Sequence, residues 1–96
     1  MPDGPVVVNN TATSQFEIRT DGGLALLKYT ILGDRIELVH TEVPASVGGG
    51  GFGSALARAA LDYARAQQLR VVPTCRFVRG YMDRHHEYDD LRAMPA

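Results

Sequence analysis

Gly48, Gly49, Gly50 and Gly51 stand in one run, followed by Phe52, Gly53 and Ser54 and then directly by an Ala/Leu-rich segment. Glycine loses more backbone freedom on folding than any other residue, roughly 0.5 to 1 kcal/mol each relative to alanine inside regular structure. A small domain that keeps such a run brings something close to that backbone. A glycine-rich turn opening a helix presents unpaired amides and the positive end of the helix dipole, a combination suited to phosphate or pyrophosphate.

The rest of the chain bounds what can be built around that turn. With 96 residues, 45% of them hydrophobic, there is material for one core. The body is expected over 14–92, after a loose lead-in at 1–13 and before a tail at 93–96. Ten basic and eleven acidic residues are mixed along the sequence, a net charge of −1. That balance lacks the basic stripe duplex nucleic acid requires, and no apolar run is long enough to suggest a membrane. The single cysteine, Cys75, excludes an intrachain disulfide, and the start MPDGPVVVNN lacks the features of a signal peptide. A reducing cytoplasm is the expected compartment.

Periodicity divides the body into a sheet and a helix. A short strand is expected over Val6 to Val8. Phe16 to Arg19 alternates, Asp21-Gly22-Gly23 signals a tight turn, and Ala25, Leu27, Tyr29 and Ile31 repeat with period two. After the turn at Gly33-Asp34, alternation resumes from Arg35 to Val43. It puts Ile36, Leu38, His40 and Glu42 on one face and Glu37, Val39, Thr41 and Val43 on the other. From Ser54 to Gln68 the period becomes helical, with Leu56, Ala57, Ala60, Leu61 and Ala64 as the apolar stripe. Arg70 to Cys75, interrupted by Pro73, reads as a strand parallel to the one before the glycines, reached by a right-handed crossover. Phe77, Val78, Tyr81 and Met82 suggest a second short helix.

Three glycine-loop chemistries compete, and side chains separate them. A P-loop requires Lys and then Ser or Thr after its last glycine, whereas Gly53 is followed by Ser54 and Ala55. A dinucleotide fingerprint requires a third small residue at the right step and an acidic residue ending the next strand, where this chain has VVPTC. The remaining class is the acyl-CoA pyrophosphate loop. HTEVP at 40–44, G-x-G-x-G at 49–53, SALARAALDYAR at 54–65, LRVVPTC at 69–75 and H-x-E-Y from 85 follow one pattern in order. Over about residues 6 to 91 the chain resembles the small stand-alone N-acetyltransferase-domain proteins of the GNAT superfamily.

That resemblance implies an α+β fold, a minimal GNAT-like arrangement. A mixed, mostly antiparallel sheet would carry a central helix after the loop and a short C-terminal helix. It implies acetyl-CoA as co-substrate and an amine, on a small molecule or a peptide, as acceptor. The pyrophosphate would lie on the amides of Gly48, Gly49, Gly50, Gly51, Phe52, Gly53 and Ser54, and pantetheine along the strand edge ending at Val43. The family loop usually has Arg where Gly48 stands and often a basic residue at the place of Gly50. Weaker CoA binding than in relatives is therefore expected, with Arg76 or Arg79 as substitutes for the missing charge.

Acetyl transfer needs a base, a polarised thioester carbonyl and an acid for the leaving thiolate. Glu42 is the first candidate base, placed where several GNAT enzymes carry a carboxylate, with His40 on the same face; both also read as ordinary solvated or satisfied strand residues. Cys75, near where the family reaches the acetyl group, reads as an acyl acceptor or as an inert buried thiol. Tyr81 roughly matches the family tyrosine that protonates the thiolate, or is core. Asp83, His85, His86, Glu87, Asp89 and Asp90 have no metal-ligand spacing and read as polar surface, so no metal is expected. Two other functions stay open: a non-catalytic acyl-CoA or anion-binding module, and an interaction protein that dimerises through an exposed sheet edge. The chain is expected to be a monomer or a weak homodimer.

Overall fold

The computed structural model describes residues 5–48 and 50–93. Its strands are β1 (Val8–Asn10), β2 (Gln15–Thr20), β3 (Gly23–Leu32), β4 (Arg35–Glu42) and β5 (Arg70–Val72), and its α-helices are α1 (Phe52–Ala66) and α2 (Arg76–Arg84). They form one sheet in the order β1-β2-β3-β4-β5, antiparallel except for the parallel β4–β5 pair. The N-terminal strand begins at Val8, two residues later than the apolar run suggests. Asn9 explains part of the shift: its side chain accepts a 2.8 Å hydrogen bond from the Tyr29 hydroxyl.

Helix α1 covers one face of this sheet. Leu56, Ala57, Ala60, Leu61 and Ala64, the stripe read from the sequence, are fully buried against Phe16, Ile18, Ala25, Leu27, Ile36 and Leu38. Alanine at three of five contact positions lets the helix approach the strands closely. Helix α2 adds Val78, Tyr81 and Met82 to the same core, and a 3-10 turn over His86–Leu91 adds Tyr88 and Leu91. The opposite face of the sheet has no covering helix among the described residues, and Leu24, Lys28, Val39, His40 and Glu42 are exposed on it.

Two irregularities position the site. The register of β3 and β4 slips between Lys28 and Tyr29, which face His40 and Leu38 respectively, so Val39 is an extra residue in β4. The regular alternation expected through Val43 therefore breaks. Ile36 and Leu38 face the helix, but beyond the bulge Thr41, paired with the buried Leu27, turns to that side. His40 and Glu42 pass to the open face. The second irregularity is Pro73, which ends β5 earlier than Cys75. Proline has no amide to continue a ladder, and the Thr74 amide folds back onto the Val72 carbonyl at 3.0 Å. Strands β4 and β5 pair only from Arg35–Arg70 to Glu37–Val72, and beyond Pro73 one backbone bond, from Cys75 N–H to Leu38 O at 2.8 Å, still ties the segment to β4 before the fork opens.

Candidate functional site

The glycine run divides into parts with different duties. Ala45–Val47 forms a 3-10 turn in which Gly48 N–H donates to Ala45 O at 3.3 Å, and Gly50 N–H donates to Val47 O at 3.1 Å. These two amides, expected to face a ligand, are thus engaged inside the loop. Gly51 sits in the left-handed region, φ 77°, as the N-cap of α1. The first bond of the helix runs from Ala55 N–H to Gly51 O at 3.1 Å. The amides of Phe52, Gly53 and Ser54 consequently have no backbone acceptor among the described residues. No side chain caps them, and the first turn carries no acidic residue that would repel an anion. Gly49 lies outside the described residues.

Steric clearance differs along the run as well. A Cβ at position 50 would come within 2.8 Å of the Phe52 ring and 3.3 Å of Val47 O. At position 48 the backbone is right-handed helical (φ −60°, ψ −22°), and a Cβ would meet only Ala45 O at an ordinary 3.5 Å. Geometry thus requires glycine at 50 and 51, and Gly48 is not held to glycine.

These amides open into a pocket of about 350 Å³ lined by Thr41, Val43, Gly48, Gly51, Phe52, Gly53, Ser54 and Phe77. One end is the α1 N-terminus and the other is formed by Thr41 of β4 and Phe77 of α2. Cys75 occupies the fork as the N-cap of α2, its amide donating to Leu38 O at 2.8 Å and its sulfur 3.2 Å from Thr41 Oγ1. Burial pushes the thiol up, but the Thr41 hydroxyl and the amides of Val78 and Phe77 outweigh it, leaving the thiol below its ordinary value.

The other candidates fall elsewhere. His40 Nε2 and Glu42 Oε2 are 3.0 Å apart, brought together on the open face with more than half of each side chain exposed. They do not line the pocket, and they reach the fork only from the far side of the sheet. Tyr81 is 3% exposed and its ring stacks on His85 at 3.8 Å, within the packing of α1, α2 and the C-terminal turn. It is absent from the pocket wall. Arg79, expected near the loop, donates to Pro73 O and Thr74 O at 3.3 and 3.0 Å. Arg76 is exposed at the start of α2 and makes no ion pair with a described residue. In the C-terminal acidic segment Asp90 receives both guanidinium nitrogens of Arg65 at 3.0 Å, and Asp83 pairs with Arg92. Thr41 and Phe77, neither singled out as a site residue from sequence, are in the pocket wall. Phe77 had read as part of an apolar helix stripe, and Thr41 becomes a site residue only through the bulge.

A five-stranded, mostly antiparallel sheet that forks beside a helix-opening glycine loop is the arrangement of a GNAT fold, and comparison with known proteins agrees. The family model described as GCN5-related N-acetyl-transferase matches residues 15–91, and the chain belongs to that family. It is 37% identical over 83 residues to mouse Protein NATD1, covering 82% of this chain and 76% of the mouse protein. With human Protein NATD1 it is 39% identical over 71 residues, 71% of this chain and 63% of the human protein. The fold is shared with the NMR structure of a GCN5-like protein from Staphylococcus aureus, at a TM-score of 0.73 and 23% identity, covering 99% of this chain and 94% of the other.

Proposed function

We propose that the protein is an acetyl-CoA-dependent N-acetyltransferase in which an acceptor amine attacks the thioester directly. The observation that carries this reading is the first turn of α1, without backbone acceptors among the described residues, at one end of a pocket whose wall runs to Thr41, the β4 residue in contact with Cys75. Pyrophosphate on the amides of Phe52, Gly53 and Ser54 leaves the pantetheine arm to run along β4, whose outer edge has no strand partner beyond Glu37 and, past the Leu38 carbonyl taken by Cys75, is open to an added strand. Pantetheine amides complete such an edge as an added strand would. The thioester then lies at the fork beside Thr41 and Cys75.

The acceptor approaches from the open face, where Glu42, polarised by His40, takes the ammonium proton directly or through water. Attack forms the C–N bond, and collapse of the tetrahedral intermediate releases CoA thiolate. Thr41 Oγ1 and Cys75 Sγ are the protic groups next to it, a role the buried Tyr81 is too far inside the helix packing to fill.

The lowered thiol of Cys75 favours a second reading, in which Cys75 thiolate first takes the acetyl group and then passes it to the amine. Incubation with labelled acetyl-CoA and a panel of amines and peptides, followed by intact-mass analysis, separates the possibilities. Direct transfer gives acetylated amine with unmodified protein, and activity survives Cys75→Ala. A relay gives an acetyl adduct that Cys75→Ala abolishes together with turnover. Binding with neither adduct nor transfer across the panel would reduce the protein to an acyl-CoA-binding module.

A further inference from the structure

Phe77 is 40% exposed, whereas the core phenylalanine Phe16 is 3% exposed. Helix α1 has been cleared to receive it. A Cβ at position 53 would fall 2.8 Å from Phe77 Cζ and 3.1 Å from Cε2, closer than packed atoms allow. Gly53 does not have the left-handed backbone that explains Gly51, so its lack of a side chain serves the ring. Phe77 is the only α2 side chain in the pocket wall, two residues beyond Cys75. The ring therefore packs on the first turn of α1 in a pocket wall that also holds Thr41, the neighbour of Cys75.

We infer that Phe77 is a specificity-determining residue whose free ring face packs against the pantetheine arm, selecting ligands that carry the arm over those that carry only the pyrophosphate. The inference rests on the acetyl-CoA reading above. The arm joins phosphates at the α1 N-terminus to sulfur at the fork, so its methylenes and methyls must cross the ring. An aromatic face left partly in water gains by covering apolar groups, while a pyrophosphate held by backbone amides gains nothing from it.

Calorimetric titration of the wild type, Phe77→Ala and Phe77→Leu with CoA and with ADP tests this. ADP has the pyrophosphate and lacks the arm. Phe77→Ala is expected to weaken CoA about tenfold and leave ADP within about twofold, with Phe77→Leu recovering part of the CoA loss. Equal weakening of both ligands would mean that the ring only props the first turn of α1, and unchanged CoA binding would mean that it meets no ligand; either overturns the inference alone. A wild type that binds neither ligand overturns the acetyl-CoA reading, and this inference with it. Thermal melting of each variant confirms that the half-exposed ring was removed without unfolding the domain.

Discussion

At the scale of single residues, the glycine run is a set of different solutions to different constraints. Gly50 and Gly53 clear space for the rings of Phe52 and Phe77, Gly51 supplies a left-handed N-cap, and Gly48 is under neither constraint. Gly48→Arg should therefore fold normally and place a guanidinium beside the anion site. Charge-assisted hydrogen bonds are about twice as strong as neutral ones, so acetyl-CoA affinity should rise about five- to tenfold by titration. Arginine at position 50 should instead displace the Phe52 ring and weaken binding. Cys75 gives a second prediction at this scale. Its thiol is held below the ordinary value, meaning that the thiolate appears at lower pH than in a free cysteine. The rate of iodoacetamide alkylation against pH should have its midpoint below that of a free cysteine measured alongside, and Thr41→Val should move it upward by removing a hydrogen bond to sulfur.

At the scale of elements, α1 was legible because its Ala/Leu stripe repeats with a single period and nothing inside it contradicts a helix. Its end was not. Leu69 N–H bonds Ala64 O at 2.8 Å and Gln68 takes φ 58°, a left-handed C-terminal cap at a position that commonly holds glycine. Gln68→Gly should raise the unfolding free energy by about 0.5 to 1 kcal/mol, measured by urea denaturation, because the side chain is exposed and its loss relieves the strained backbone. The bulge at Val39 was hidden for a related reason. The stretch from Leu38 to Val43 alternates well enough to be read straight through, and no glycine or proline marks the slip. The extra residue is visible only in the pairing with β3, yet it decides that Thr41 enters the pocket and Glu42 leaves it. Pro73 is visible in the sequence as an interruption, but a strand read through to Cys75 misses that β5 stops at Val72.

At the scale of the whole molecule, one helix layer on one sheet leaves the other face uncovered by any helix among the described residues. Under the proposed function, CoA and acceptor meet without sharing a route: the cofactor from the helix side, along the α1 N-terminus and Phe77, and the amine from the face that carries His40 and Glu42. Family and fold were readable from ordered motifs because those motifs mark topology: the strand before the loop, the helix after it and the proline at the fork. Which side chains reach the pocket depends on a one-residue slip and on clearances of a few tenths of an ångström, which motif order does not encode. The central claim is that the first turn of α1 holds the CoA pyrophosphate. An amide ¹⁵N–¹H titration with acetyl-CoA tests it most directly. The largest shifts are expected at Phe52, Gly53 and Ser54, with further shifts at Thr41, Cys75 and Phe77 and little change in β1 or β2. Saturable binding that leaves the Phe52–Ser54 amides unmoved would contradict it.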